Sequence, residues 1–190
     1  LMDFTDVLEG RCSLVRAAVE HPVIHGLHLL TAPVQLPRTP PSAEAIEGLL
    51  RQARERFSYI LIDSPAGLGP GFQLAAWGAD RAVVVSTNDS SALRDAQRTV
   101  SELSRRIDTI HLVMNRIQPK LLRKLHTTID DAMDAAGLPL LGVVPEDPQV
   151  MLAANLGEPL ILFSRKGAAP AYLNIAKRLT GQRVPLMKIR

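Results

Sequence analysis

The sequence is poor in several features that mark particular classes of protein. Aromatic residues make up only 4% of its 190 residues, which argues against a surface that stacks single-stranded bases. A single cysteine, Cys12, excludes an internal disulfide framework. No apolar run approaches the roughly 18 residues of a membrane-spanning helix. The net charge is only +3 and the basic residues are scattered, so the stripe typical of a nucleic-acid-binding protein is not seen.

The sequence also lacks the phosphate-binding motif G-x-x-x-x-G-K-[ST]. That loop opens the first helix of the nucleotide hydrolases that use it, since its backbone N–H groups hold the phosphates. The chain begins Leu1-Met2 rather than with an initiator methionine. We therefore expect it to be a piece of a longer protein.

Short apolar runs alternate with amphipathic helical patterns along the chain. Each run is rich in Val, Ile and Leu and nearly continuous, as strands buried on both faces are. The runs are 27–31, 59–62, 82–86, 110–114 and 140–144, with a weaker one at 160–163. Helical patterns follow Ser42 and Asp89 and cover 120–136, 147–156 and 171–179. This order predicts an α/β fold, a three-layer, mainly parallel, doubly wound sheet.

Polar residues follow most of the predicted strands, at the sheet edge where ligands bind in such folds. Asp63 ends one apolar run and Gly67 follows four residues later. A carboxylate there suits Mg²⁺, directly or through water, and a glycine N–H can approach a phosphate oxygen. A strand-ending Asp that caps a turn explains the spacing equally well.

Two other strand ends carry candidate ligands. The Asn115 carboxamide could bond an adenine base, with the Arg116 guanidinium against the base plane, although Asn is also a common turn residue. Pro145, Glu146 and Asp147 end the next strand and begin a helix, where an acid is favoured by the helix dipole. Solvent exposure is the simpler interpretation of the polar helix face at 94–98.

Six segments resemble, in order and spacing, the MinD septum-site-determining ATPases, a deviant Walker A group that includes the ParA partition ATPases. The segments are Asp6–Ser13, Phe57–Phe72, Arg94–Arg98, Met114–Ile117, Leu140–Asp147 and Asn155–Leu160. The resemblance covers nearly the whole chain. It implies a P-loop NTPase-like domain over 1–181, a short basic and apolar tail over 182–190, and a P-loop and first sheet strands that would precede Leu1.

The resemblance also implies roles for individual residues. Asp63 is expected to be the catalytic Walker B acid that holds Mg²⁺ through water, with the Gly67 amide near the γ-phosphate of ATP. Asn115 and Arg116 match the adenine-binding motif. The loop along the base and ribose is matched by Pro145, Glu146 and Asp147. The face for partner and dimer contact is matched by Arg94, Asp95 and Arg98.

The implied function is ATP hydrolysis in cell-division site selection, with this chain alone inactive because it lacks the P-loop. The implied partners are a second copy, a MinC-like division inhibitor and a MinE- or DivIVA-type topology factor, with no specific nucleic acid. The expected location is the bacterial cytoplasm, peripheral on the inner face of the cell membrane. The tail is too short for a stable helix alone, so its membrane affinity is expected to be weak.

Two other interpretations stay open. One is a non-catalytic MinD-like scaffold that binds a division partner without turnover. The other is a ParA-type partition ATPase, which predicts non-specific DNA binding with a steep salt dependence.

Overall fold

The computed structural model describes residues 2–34, 38–126 and 128–187. The chain divides into two compact units, Leu1–Asp80 and Arg81–Arg190. Each unit has its own buried core, and each is described here by itself.

The first unit consists of helices and a short β-ribbon. Its helices are α1 (Phe4–Leu8), α2 (Leu14–Ala17), α3 (Ala43–Arg54) and α4 (Pro70–Trp77). The strands β1 (Val19–Glu20) and β2 (His28–Leu29) pair antiparallel. The α1 N-terminus is closed by a capping box between Asp3 and Asp6, and Arg11 pairs with Asp6 at 2.6 Å.

Helix α3 forms as its sequence predicts. The Ser42 hydroxyl accepts a hydrogen bond from the Ala45 N–H at 3.2 Å and caps the first turn. The apolar stripe of α3 is buried against α1, α2 and α4, where each fully buried Leu or Ile is worth about 1.5–3 kcal/mol. Its members are Ile46, Leu49, Leu50 and Ala53.

Of the two strands predicted in the first unit, one is much shorter than predicted and the other is absent from the described residues. The run 27–31 forms only the two-residue strand β2, which is antiparallel and exposed. The run Tyr59–Ile62 is not a strand at all, and Leu61 is 89% exposed. An apolar run becomes a strand only where another strand pairs with its backbone, and no described residue does so here.

The second unit contains a parallel sheet, as the sequence predicts, and it is built from three of the predicted strands. The strands are β3 (Ala82–Ser86), β4 (Ile110–Ile117) and β5 (Leu140–Pro145), in the order β3-β4-β5. The helices are α5 (Ser90–Leu103), α6 (Pro119–Leu125), α7 (Ile129–Ala136), α8 (Pro148–Leu156), α9 (Leu160–Phe163) and α10 (Ala169–Leu179).

Helices cover both faces of this sheet, which confirms the α/β layered architecture. Val113 of β4 packs in one cluster with Ala171 of α10. Because side chains alternate along a strand, its neighbours Leu112 and Met114 point to the opposite face, and both are fully buried. Helix α5 packs against β3, and α7 packs against β4 and α5.

Burial on both faces holds for β4 and β5 but not for β3. Val83 and Val85 are exposed, whereas Val84 and Ser86 are buried. These exposed side chains share the face of Val113, and α10 packs on that face mainly against β5.

Two other predictions for the second unit are corrected. Leu160–Phe163 is the helix α9 rather than a weak strand, and four apolar residues carry no periodicity that could tell the two apart. The helix predicted over 120–136 is two helices. Helix α6 ends at His126 in a left-handed conformation, and a capping box between Thr128 and Asp131 starts α7.

Arg178 of α10 and Met187 link the described part of the tail to β5 and its core cluster. Arg178 donates hydrogen bonds to the carbonyls of Leu140 at 3.3 Å, Leu141 at 3.1 Å and Val184 at 3.0 Å. Met187 packs against the core cluster that contains Val144. Residues 188–190 of the predicted tail lie outside the described residues. Among the described residues, no helix has the length and apolar character needed to cross a bilayer.

Candidate functional site

The carboxyl edge of the sheet carries a local irregularity at the residues predicted to bind a base. Met114 pairs with Val143 and Ile117 pairs with Pro145, so β4 has one residue more than β5 between these pairs. This is a β-bulge, which turns side chains away from the regular strand direction and is common beside active sites. Arg116, inside the bulge, has a φ of 56°, a left-handed conformation that is rare outside glycine.

The bulge brings two of the predicted base-side residues together. Arg116 Nε donates to Glu146 Oε2 at 2.9 Å, and the Glu146 N–H donates to the Ile117 carbonyl at 3.0 Å. The Asn115 carboxamide oxygen accepts the Arg116 N–H at 3.0 Å. The ends of β4 and β5 are therefore joined, with the Arg116 side chain 68% exposed towards solvent.

Asp147, the next predicted ligand, holds two segments of backbone. Its Oδ1 accepts the Gln149 N–H at 2.9 Å and caps α8, while its Oδ2 accepts the Ala168 N–H at 2.8 Å. Gly167 lies so close that a Cβ built on it would be 2.0 Å from Asp147 Oδ2. Burial raises the pKa of the nearby Tyr172 hydroxyl, and the Asp147 charge raises it further.

This clamp adds a segment that the sequence analysis did not assign to the site. The loop 164–168 is held at the carboxyl end of β5 by Asp147, and Ser164 Oγ accepts the Lys166 N–H at 3.2 Å. The sequence does carry a signal for a tight turn in this loop, because Gly167 can adopt a positive φ. Its contact with Asp147 is long-range and could not be predicted from the sequence.

At the end of β3, Asp89 caps α5 and is strongly hydrogen-bonded. It accepts from the Thr87 hydroxyl, from the Ala92 N–H at 2.9 Å and from the Ser91 hydroxyl at 2.7 Å. These bonds, led by that from Thr87, hold the pKa of the Asp89 carboxyl far below its usual range. Hydrogen bonds to the ionised form favour that form.

The two predicted phosphate-side residues lie in the first unit. Asp63 and Gly67 belong to the exposed segment before α4, and Gly67 has a φ of 85° that favours glycine. Within the described residues, the Asp63 carboxylate makes no hydrogen bond or ion pair, so it is available to a water or ligand. That these residues face the same nucleotide as Asn115 and Arg116 stays a prediction.

The predicted partner face lies on α5. Arg98 and Asp95 approach each other at 3.7 Å and both side chains are 75% exposed, while Arg94 Nε donates to the Ser90 carbonyl at 3.3 Å. Gln97 on the same helix donates to the Ala135 carbonyl and ties α5 to α7. The three predicted residues therefore remain accessible on a firmly held helix.

Comparison with known proteins relates the whole chain to one group. No family model matches it. The septum site-determining protein MinD of Bacillus subtilis is 37% identical over 190 residues, which is 98% of this chain and 71% of that protein. In the MinC:MinD cell division complex of Aquifex aeolicus, a chain superposes with a TM-score of 0.90 at 31% identity, covering 99% of this chain and 76% of that one.

A more distant structure shares the fold alone. The septum site-determining MinD of Pyrococcus horikoshii, complexed with Mg-ADP, superposes with a TM-score of 0.76 at 22% identity. It covers 94% of this chain and 73% of that one.

Proposed function

The chain belongs to the MinD family of septum site-determining proteins, and from this premise we propose that it is part of an ATP hydrolase of division-site selection. The observation that carries the proposal is the 37% identity to the Bacillus subtilis protein across 98% of the chain. The solved Aquifex aeolicus complex, in which MinD is bound to MinC, supports a MinC-like inhibitor as partner. A MinE- or DivIVA-type factor completes the proposal.

The base side of the nucleotide is assigned to the second unit. Asn115 offers a carboxamide for the adenine edge, and Arg116 offers a guanidinium plane that Glu146 orients. Asp147 contributes by holding the turn, since both its carboxylate oxygens already accept backbone N–H groups. A base bound here would lie beyond the strand ends, where ligands of parallel sheets bind.

The phosphate side is assigned to Asp63 and Gly67. Magnesium keeps several waters and takes few protein ligands when it binds nucleotide phosphates, so one carboxylate without other bonds fits this ion. When bound, the ion neutralises charge on the phosphates. Asp63 would hold one of its waters, and the Gly67 N–H would bond the γ-phosphate. Since the 190 residues contain no G-x-x-x-x-G-K-[ST] run, we propose that other residues of the protein supply it and that this chain alone is inactive.

The proposed cycle couples nucleotide to assembly and location. ATP joins two copies, the dimer associates with the inner face of the bacterial membrane, and hydrolysis releases it. The tail 182–190 adds basic and apolar residues for weak contact with anionic lipid. Two tails in a dimer bind more strongly than one through avidity.

The test is ATP turnover by the complete protein carrying Asp63→Ala. We expect turnover to fall by at least about tenfold, because Asp63 would help to hold the Mg²⁺ ion, and that ion would stabilise the negative charge of the phosphates in the transition state. Asp108→Ala is the matched control, since Asp108 is an exposed carboxylate at the amino end of β4. Equal turnover in the Asp63 variant and the control would remove the assigned role. Absence of turnover by the unmodified complete protein would favour the non-catalytic scaffold.

A further inference from the structure

Helix α6 concentrates positive charge that no described residue neutralises. Lys120, Arg123 and Lys124 are exposed on its seven residues. The sequence has no Asp or Glu between Asp108 and Asp130. Within the described residues, none of the three cations makes an ion pair or a side-chain hydrogen bond.

This arrangement works against the helix that carries it. Lys120 and Lys124 are like charges four residues apart, and such pairs destabilise helices. Lys120 also lies in the first turn, where the helix dipole disfavours a cation. On α5, by contrast, Arg98 lies 3.7 Å from Asp95, and Arg105, just after the helix, lies 3.1 Å from Glu102. The α6 cations therefore make a surface that an anionic partner would stabilise.

We propose that α6 is a second membrane contact, which binds the headgroups of anionic lipids. Leu121 is 40% exposed between the basic residues, and this mixture of cations and exposed leucine suits the interface of a bilayer. The inference rests on the membrane association proposed above but not on nucleotide hydrolysis. It adds a contact on the folded body to that of the tail.

The test measures binding of the protein to vesicles of phosphatidylglycerol and phosphatidylcholine, without nucleotide, in low salt. Each basic residue near an anionic surface is worth about a fivefold change in affinity, so the combined variant Lys120→Gln, Arg123→Gln, Lys124→Gln should bind roughly a hundredfold more weakly. A variant with Lys120→Arg and Lys124→Arg should keep its affinity, because the charge is retained.

Two controls separate the site from net charge and from the tail. A variant with the same charge change elsewhere should lose less than about tenfold; it carries Arg51→Gln, Arg56→Gln and Lys177→Gln, all at exposed positions. Neutralising Arg183, Lys188 and Arg190 tests the tail alone. A loss there with no loss in the α6 variant leaves the proposed membrane association standing and overturns the α6 site.

The remaining outcomes are equally decisive. Equal loss in the α6 variant and the charge-matched control would show a non-specific charge effect and overturn the proposal, as would failure of the unmodified protein to bind these vesicles. If the α6 variant loses affinity for duplex DNA but keeps its affinity for vesicles, the proposal is overturned in favour of a nucleic-acid site. Circular dichroism checks that each variant is folded. If the triple variant is not, the single variant Lys120→Gln replaces it. Weaker vesicle binding by Lys120→Gln, with binding retained when Lys120 and Lys124 are both arginine, would then support the α6 site, and unchanged binding by Lys120→Gln would overturn it.

Discussion

Replacing Gly167 with alanine tests whether the Asp147 clamp contributes to the stability of the second unit. The new Cβ would lie 2.0 Å from Asp147 Oδ2 and 2.8 Å from its Cγ, so the carboxylate must move. Moving it breaks the 2.8 Å hydrogen bond from the N–H of Ala168, a residue with no exposed surface. An unpaired buried N–H costs about 1–3 kcal/mol.

The backbone adds a second cost. Gly167 has a φ of 62°, and the left-handed conformation costs a residue with a Cβ about 1–2 kcal/mol. Gly157→Ala isolates this part, because Gly157 has a φ of 69° and no atom within 4 Å of an added Cβ. The two variants should therefore differ by the clamp alone, with Gly167→Ala the less stable by about 1–3 kcal/mol.

The assay is urea unfolding of the purified protein followed by circular dichroism. A double-mutant cycle with Asp147→Ala completes it, since without the carboxylate Gly167→Ala should cost no more than Gly157→Ala. If the two glycine variants are equally stable in the unmodified background, the clamp contributes nothing and the reasoning fails. A cycle that shows simple additivity would lead to the same conclusion.

Two other changes test the second unit. The Asp89 carboxyl has a pKa below its unfolded value of about 3.9, so it stabilises the fold above that pH and loses this contribution as the pH falls towards its folded pKa. The melting-temperature advantage over Asp89→Asn should therefore be present at neutral pH and shrink below about pH 4, and a constant difference would contradict this. Gly142→Ala places a Cβ 2.3 Å from Ile175 Cγ1 and should destabilise the β5–α10 contact by about 1–3 kcal/mol in urea unfolding. The penalty should fall in an Ile175→Ala background, and an unchanged penalty would show that the two residues do not clash.

The sequence predicts those elements whose signals are local. Strands β3, β4 and β5 are continuous apolar runs, and helices α3 and α5 follow capping residues at Ser42 and Asp89. A cap and an apolar period are both set by neighbours in the chain. The structure confirms each of these elements, with boundaries close to those predicted.

The clearest error occurs where the outcome depends on distant partners. Tyr59–Ile62 has the composition of a buried strand, but a strand forms only when another backbone pairs with it. The interruption of the helix predicted over 120–136 did have a local signal, since Thr128 and Asp131 have the spacing of a capping box. Arg116 and Glu146 are thirty positions apart in the chain. The parallel topology predicts that both lie at the same edge of the sheet, but the sequence does not predict that their side chains pair.

The backbone changes direction at both ends of α6, the helix whose three cations make no ion pair within the described residues. The non-glycine residues with positive φ among those described are Arg116 and His126, and they lie on either side of α6. Such conformations persist only where the surrounding structure imposes them. The bulge at Arg116 sets the exit of the chain from β4, and the left-handed turn at His126 ends the helix before α7 begins. Because the described residues hold the α6 cations in no ion pair, these cations stay available to an anionic surface, beyond the end of the strand that also carries Asn115 and Arg116.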